Sequence, residues 1–148
     1  RCDVPDLPVQ GVIAVYAVTD MIWAHAEPIR PDVVNGPESL ELYLVGPPSA
    51  RLGVYELASP LTWAERAPPT LIIHGTLDRM VRPGHAKRLY DGLLAVGRPA
   101  KILLLPLAEH GFDLRPGGWG EQLARAEILR FLENLSAGTS ADPALGSQ

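Results

Sequence analysis

Pro68-Pro-Thr-Leu-Ile-Ile-His-Gly-Thr-Leu-Asp-Arg-Met-Val81 decides the fold. The proline pair ends whatever precedes it, and Thr70 to His74 is a short apolar run rich in β-branched residues. A run without polar alternation reads as a strand buried on both faces. Such strands belong to parallel sheets covered by helices. Gly75 to Pro83 is then the loop past the strand's C-terminal end, and it carries Asp78.

Downstream, His85 to Val96 has a helical stripe of Ala86, Leu89, Tyr90, Leu93 and Val96, with Gly97 as a stop. Lys101-Ile-Leu-Leu-Leu105 is a further strand. Glu121 to Leu135 is a final helix with the stripe Ala124, Ile128, Phe131, Leu132 and Leu135. Residues 136–148 are small and polar and are expected to be a flexible tail. Upstream, Gly11 opens Val12-Ile-Ala-Val-Tyr16, another buried strand. Between them, residues 21–60 have no clean period and hold Pro28, Pro31, Pro37, Pro47, Pro48 and Pro60. Long helices are excluded there; Glu38–Val45 and Arg51–Leu57 suit short ones. The stretch has the character of an insertion packed over something else.

The fold class is therefore α/β, a parallel sheet with flanking helices. Three strands are few for such a sheet, and the first would present a bare apolar edge. The expectation is that residues 1–135 are the C-terminal part of a single larger domain. Composition agrees with a globular chain: 148 residues, 47% hydrophobic and 20% charged. Net charge is −4, with 11 Arg, 2 Lys and no basic stretch, which argues against nucleic acid as partner. The apolar runs fall far short of the ~20 residues of a membrane helix. Cys2 is the only cysteine, which rules out an internal disulfide and a zinc site built on cysteines. A reducing, cytoplasmic setting is compatible, and a chain that begins Arg1-Cys2-Asp3 gives no reading of a leader.

In a parallel sheet the loops past the C-terminal strand ends converge, and functional groups collect there. Asp78 lies four residues past His74, and His110 lies five past Leu105. With neighbouring strands about 4.8 Å apart, two such loops can bring carboxylate and imidazole together. A buried Asp fixes the tautomer of such a His and stabilises the imidazolium formed when the other nitrogen takes a proton.

These residues carry a resemblance. The quoted stretch, followed by Glu109-His-Gly-Phe-Asp113, resembles the C-terminal half of an α/β-hydrolase, in the esterase/lipase branch near the BD-FAE-like and hormone-sensitive-lipase-like hydrolases. Tyr16-Ala-Val-Thr-Asp20 and Ala58-Ser-Pro60 are similar to the family's segments after the nucleophile-bearing strand and before the acid strand. The resemblance implies that Asp78 is the triad acid and His110 the triad base. It makes 21–60 a lid-like insertion bordering the substrate pocket. The family's G-x-S-x-G nucleophile motif is absent, as is its H-G-G oxyanion loop. Ser39, Ser49, Ser59 and Ser136 have the wrong neighbours, and Cys2 has Val4 where the second glycine should stand.

Other residues read as structural. His74 ends an apolar strand and is expected to be packed, bonding nearby backbone. His25 and His85 are expected at the surface. Asp113 is a candidate to cap or bind a loop amide, and Glu109 is given no role. Trp23, Tyr43 and Trp63 are candidates to line a pocket, with burial of the insertion as the commoner use of such rings. Gly117-Gly118 is a flexible loop, and no G-x-G-x-x-G follows a strand, so a dinucleotide site is not indicated.

The resulting expectation is a serine-type carboxylic ester hydrolase acting on a small-molecule ester, with no cofactor or metal implied. Its nucleophile would come from sequence outside this chain, so the chain alone is expected to be inactive. One alternative is a prolyl-oligopeptidase-like serine peptidase. Another is a non-catalytic remnant acting as an interaction module. In either case the open sheet edge would be covered by missing N-terminal sequence or by a second copy.

Overall fold

The computed structural model describes residues 9–28 and 35–140. The elements are β1 (Val12–Val15), α1 (Met21–Ala26), α2 (Gly36–Leu44), α3 (Pro48–Ala58), a 3-10 helix (Pro60–Arg66), β2 (Thr70–Gly75), α4 (Gly84–Ala95), β3 (Ala100–Leu105) and α5 (Trp119–Ser140). The three strands form one parallel sheet in the order β1-β2-β3, with Val12 opposite Thr70 and Thr70 opposite Ala100.

Every residue of the central strand β2 is buried, which is why its sequence is a continuous apolar run. Its side chains alternate between two cores. On one face Ile72 packs with Ala86, Leu89 and Leu93 of α4 and Ala64 of the 3-10 helix. On the other, Leu71 and Ile73 pack with Leu105, Ala108 and Ala124, and with Ile128 and Phe131 of α5 beside them. Burying a side chain of this size stabilises by about 1.5–3 kcal/mol.

Among the described residues the insertion folds as three short helices, and the 3-10 helix follows it. Asp20 caps α1 by accepting from the Trp23 amide at 2.9 Å, and Asn35 caps α2 by accepting from that of Glu38 at 3.3 Å. α2 ends at Val45, whose φ of 60° is unfavourable for a β-branched residue. α2 and α3 fall where short helices were expected. α1 and the 3-10 helix were not foreseen. α5 continues five residues past Leu135, so the start of the expected tail is helical, while 141–148 lie outside the described residues. So do Cys2 and Pro31. Val96 and Leu132, placed on buried stripes from periodicity, are 40% and 45% exposed. Among the described residues no helix is long and apolar enough to cross a membrane.

Candidate active site

The two loops past β2 and β3 are zipped together by three hydrogen bonds. Thr76 N–H donates to the Leu105 carbonyl at 2.9 Å, and Leu77 N–H to that of Ala108 at 2.9 Å. The Leu107 amide donates to Thr76 Oγ1 at 2.9 Å. Gly75 makes this approach possible, because a Cβ there would overlap the Ala108 carbonyl group.

The zipper places Asp78 and His110 side by side. His110 Nδ1 donates to Asp78 Oδ2 at 2.8 Å. The Asp78 side chain is fully buried and that of His110 is 25% exposed. Oδ1 accepts from the Met80 and Val81 amides, each at 2.8 Å. Oδ2 also lies 3.3 Å from His74 Nε2. His74 Nε2 donates to the Val81 carbonyl at 2.9 Å, so it carries a proton and presents it to the carboxylate as well. Burial alone would raise the Asp78 pKa. The His74 contact, the two amides and His110 outweigh it and hold the carboxyl down at about 2. A carboxylate thus fixed keeps the proton on His110 Nδ1, leaving the Nε2 lone pair of the neutral ring as a base. No described residue bonds that Nε2.

Tyr16, at the end of β1, packs its ring against His110 with centroids 4.2 Å apart. Its φ of 38° turns the chain off the strand, and its hydroxyl donates to Asp113 Oδ1 at 3.1 Å. Burial and then Asp113 raise the Tyr16 pKa, so the phenol keeps its proton. Asp113 therefore binds a phenol on the far side of the site, where a loop amide was the expected partner. Nothing in the sequence announced the Tyr16 contact, which depends on a left-handed backbone at a bulky residue.

His110 lines a cavity of about 240 Å³, together with Val18, Met80 and Val81 and with Ala24 and Leu40 of the insertion. Glu27, Pro28, Gly36 and Ser39 border it as well. Two surface assignments need correction. His85 is only 3% exposed. Its Nδ1 accepts from the Thr19 amide at 3.3 Å, and Trp23 meets its ring edge-on. These partners come from over 60 residues away, beyond the reach of local pattern. His25 is half-buried and lies 2.8 Å from Glu41 Oε1. Tyr43 and Trp63 are exposed away from the cavity at 78% and 41%. Glu109 pairs loosely with Arg79 at 3.5 Å on the surface. The described residues contain no cluster of three or more His, Cys, Asp or Glu able to hold a metal.

Comparison with known proteins places this geometry in context. The sequence model of the BD-FAE family matches residues 3–93, a span that includes Asp78 and stops short of His110. The chain is 39% identical over 84 residues to esterase LipC of Mycobacterium tuberculosis, covering 55% of this chain and 21% of that one. It is 30% identical over 115 residues to the non-reducing polyketide synthase mapC of Penicillium brevicompactum, covering 77% of this chain and 4% of the synthase. The chain thus spans a small part of the curated relatives it matches. Among solved structures, the Pyrococcus horikoshii acylaminoacyl peptidase superposes with a TM-score of 0.69 at 18% identity, over 84% of this chain and 20% of that one. A truncated carbohydrate esterase from gut microbiota gives 0.68 at 24% identity, over 87% and 43%. At those identities the likeness is one of fold.

Proposed function

This chain belongs to the BD-FAE family, within the α/β-hydrolases, and from that premise we propose that it carries the acid and base of a serine-type carboxylic ester hydrolase. The observation that carries the reading is the 2.8 Å hydrogen bond from His110 Nδ1 to a fully buried Asp78, with His110 Nε2 left open. The nucleophilic serine and the oxyanion donors come from sequence outside this chain, because no G-x-S-x-G occurs in it.

In the completed site the serine attacks an ester carbonyl while His110 Nε2 takes its proton. The imidazolium, held by Asp78, returns that proton to the leaving alcohol as the tetrahedral intermediate collapses to an acyl-enzyme. Water then enters, gives its proton to His110 and releases the acid by the same route. The cavity beside His110 receives one end of the ester. The missing sequence also covers the edge of β1.

Two measurements test this. Reading the source DNA upstream of the codon for Arg1 should reach an open frame with G-x-S-x-G; a stop codon just upstream overturns the proposal. In the full-length product, His110→Ala should abolish hydrolysis of a p-nitrophenyl ester, and wild-type turnover in that variant would equally overturn it. The peptidase alternative is separated by offering an N-acyl peptide p-nitroanilide beside the ester.

A further inference from the structure

Tyr16 holds a strained place in the chain, and its side-chain contacts gather on one loop. Its amide pairs with β2, donating to the Ile73 carbonyl at 2.8 Å. Past that bond a φ of 38° turns the residue off the strand, in the left-handed region that bulky side chains avoid. Strain of this kind persists where surrounding contacts hold it, and it collects at functional sites. The side chain reaches from the end of β1 to the loop past β3 and meets three residues there. The His110 ring lies 4.2 Å away, tilted by 49°. Phe112 meets the phenol edge-on at 5.5 Å. The hydroxyl donates to Asp113 Oδ1 at 3.1 Å, with Oδ2 at 3.4 Å.

The imidazole needs such a support. Its covalent link at Cγ and its hydrogen bond to Asp78 at Nδ1 define an axis along one side of the ring, about which the rest can still tilt. A second ring packed against it removes that freedom and sets where Nε2 points. The phenol also lies well within the ~6 Å over which an aromatic ring attracts a cation, so it favours the charge that His110 gains on taking a proton. Donation to Asp113 polarises the phenol and leaves its ring richer in electrons.

We propose that Tyr16 is a positioning residue for the base: strapped to Asp113, its ring holds the plane of the His110 imidazole and stabilises the imidazolium formed when Nε2 takes a proton. The role rests on the ester-hydrolase reading, in which His110 is that base, and adds the end of β1 as a support beside Asp78. The charged and titratable groups around His110 are Asp78 with His74 behind it, Asp113 across the phenol, and Glu109, which pairs with Arg79. Glu27, Arg82 and His85 line the same cavity as His110.

The test compares Tyr16→Leu with Tyr16→Phe in the full-length product. Both free Asp113 from the phenol and both keep apolar cover on His110, so their difference belongs to the aromatic ring. The charged groups around His110 are common to the two and cancel. The titration midpoint of the His110 Cε1–H signal, followed by NMR, should lie about half a pH unit or more lower in the leucine variant. Hydrolysis of a p-nitrophenyl ester should be about tenfold slower in the leucine variant than in the phenylalanine variant, in kcat and with similar KM, because the imidazolium forms only after binding. Tyr16→Met, a flexible apolar chain, takes the place of leucine should that variant fail to fold. Equal midpoints, or equal kcat, in the aromatic and aliphatic variants overturn the role. The midpoint is read without turnover, so this failure is distinct from failure of the hydrolase reading, which shows as a wild type that does not cleave the ester.

Discussion

The strand β2 and the helices of the insertion are built on opposite plans. All six residues of β2 are buried. In α1, α2 and α3 only Leu44 and Tyr55 are, while Leu42, Tyr43, Leu52 and Leu57 are more than half exposed. The first region is held by apolar area. The second is held by particular links: Ser59 Oγ accepts from the Met21 amide at 2.9 Å and donates to the Tyr55 carbonyl at 2.7 Å, Tyr55 hydroxyl donates to the Gly46 carbonyl, and Trp23 rests on His85. Catalytic candidates hang from the region whose position is over-determined. Half of the residues that line the cavity come from the one that can be rebuilt. A scaffold of this kind keeps its chemistry while its pocket varies.

The strongest way to sharpen that contrast is through the rigid side. In the full-length product, Asp78→Asn should leave the fold intact by circular dichroism and reduce turnover by about 10⁴, as the corresponding change does in serine proteases, through loss of the His110 tautomer. Turnover near wild type would remove Asp78 from the proposed chemistry. Next comes packing. Leu93→Ala should cost about 2–5 kcal/mol in urea unfolding, because Leu93 has no exposure and touches the sheet. Leu42→Ala, at 77% exposure, should stay within about 0.5 kcal/mol. Equal losses would erase the distinction between the two regions.

Acid separates them again. His85 has a folded pKa of about 4, below its ordinary 6.5. As pH falls from 6.5 to 4 the unfolded chain takes up a proton that the folded ring refuses, and stability declines by roughly 3 kcal/mol. Asp78 has a folded pKa of about 2 against an ordinary 3.8. Its contribution is present above pH 4 and is lost as pH falls toward 2, by about 2 kcal/mol. Urea midpoints against pH should therefore show two successive declines, with His85→Gln removing the upper and Asp78→Asn the lower. A single decline common to both variants would contradict the assignment. The smallest effect is expected at the tether of α1 to α4. Arg88 Nη2 pairs with Asp20 Oδ2 at 2.6 Å, with the Arg 45% exposed. Arg88→Ala should cost no more than about 1 kcal/mol.

The sheet and the meeting of Asp78 with His110 were legible because each follows from where a buried apolar run stops. Loops at adjacent strand ends have nowhere else to go. α1 was not legible: six residues ending at Ala26, two before Pro28, give no period to read. His85 looked like a surface residue because its burial is the work of Thr19 and Trp23, placed by the tertiary fold. The packing of Tyr16 on His110 was hidden for a different reason, since it requires a backbone angle that tyrosine rarely adopts. The sequence speaks through repetition, and what the insertion contributes is a set of single contacts.

The hydrogen bonds that join the loops past β2 and β3 also set how the site can fail. Opening either loop breaks the same three bonds, so the amides of Thr76, Leu77 and Leu107 should exchange with solvent deuterium at one common rate. Carboxylate and imidazole then leave their positions in one event, and heating passes from a fully assembled pair to none, with no long-lived species in which one has drifted from the other.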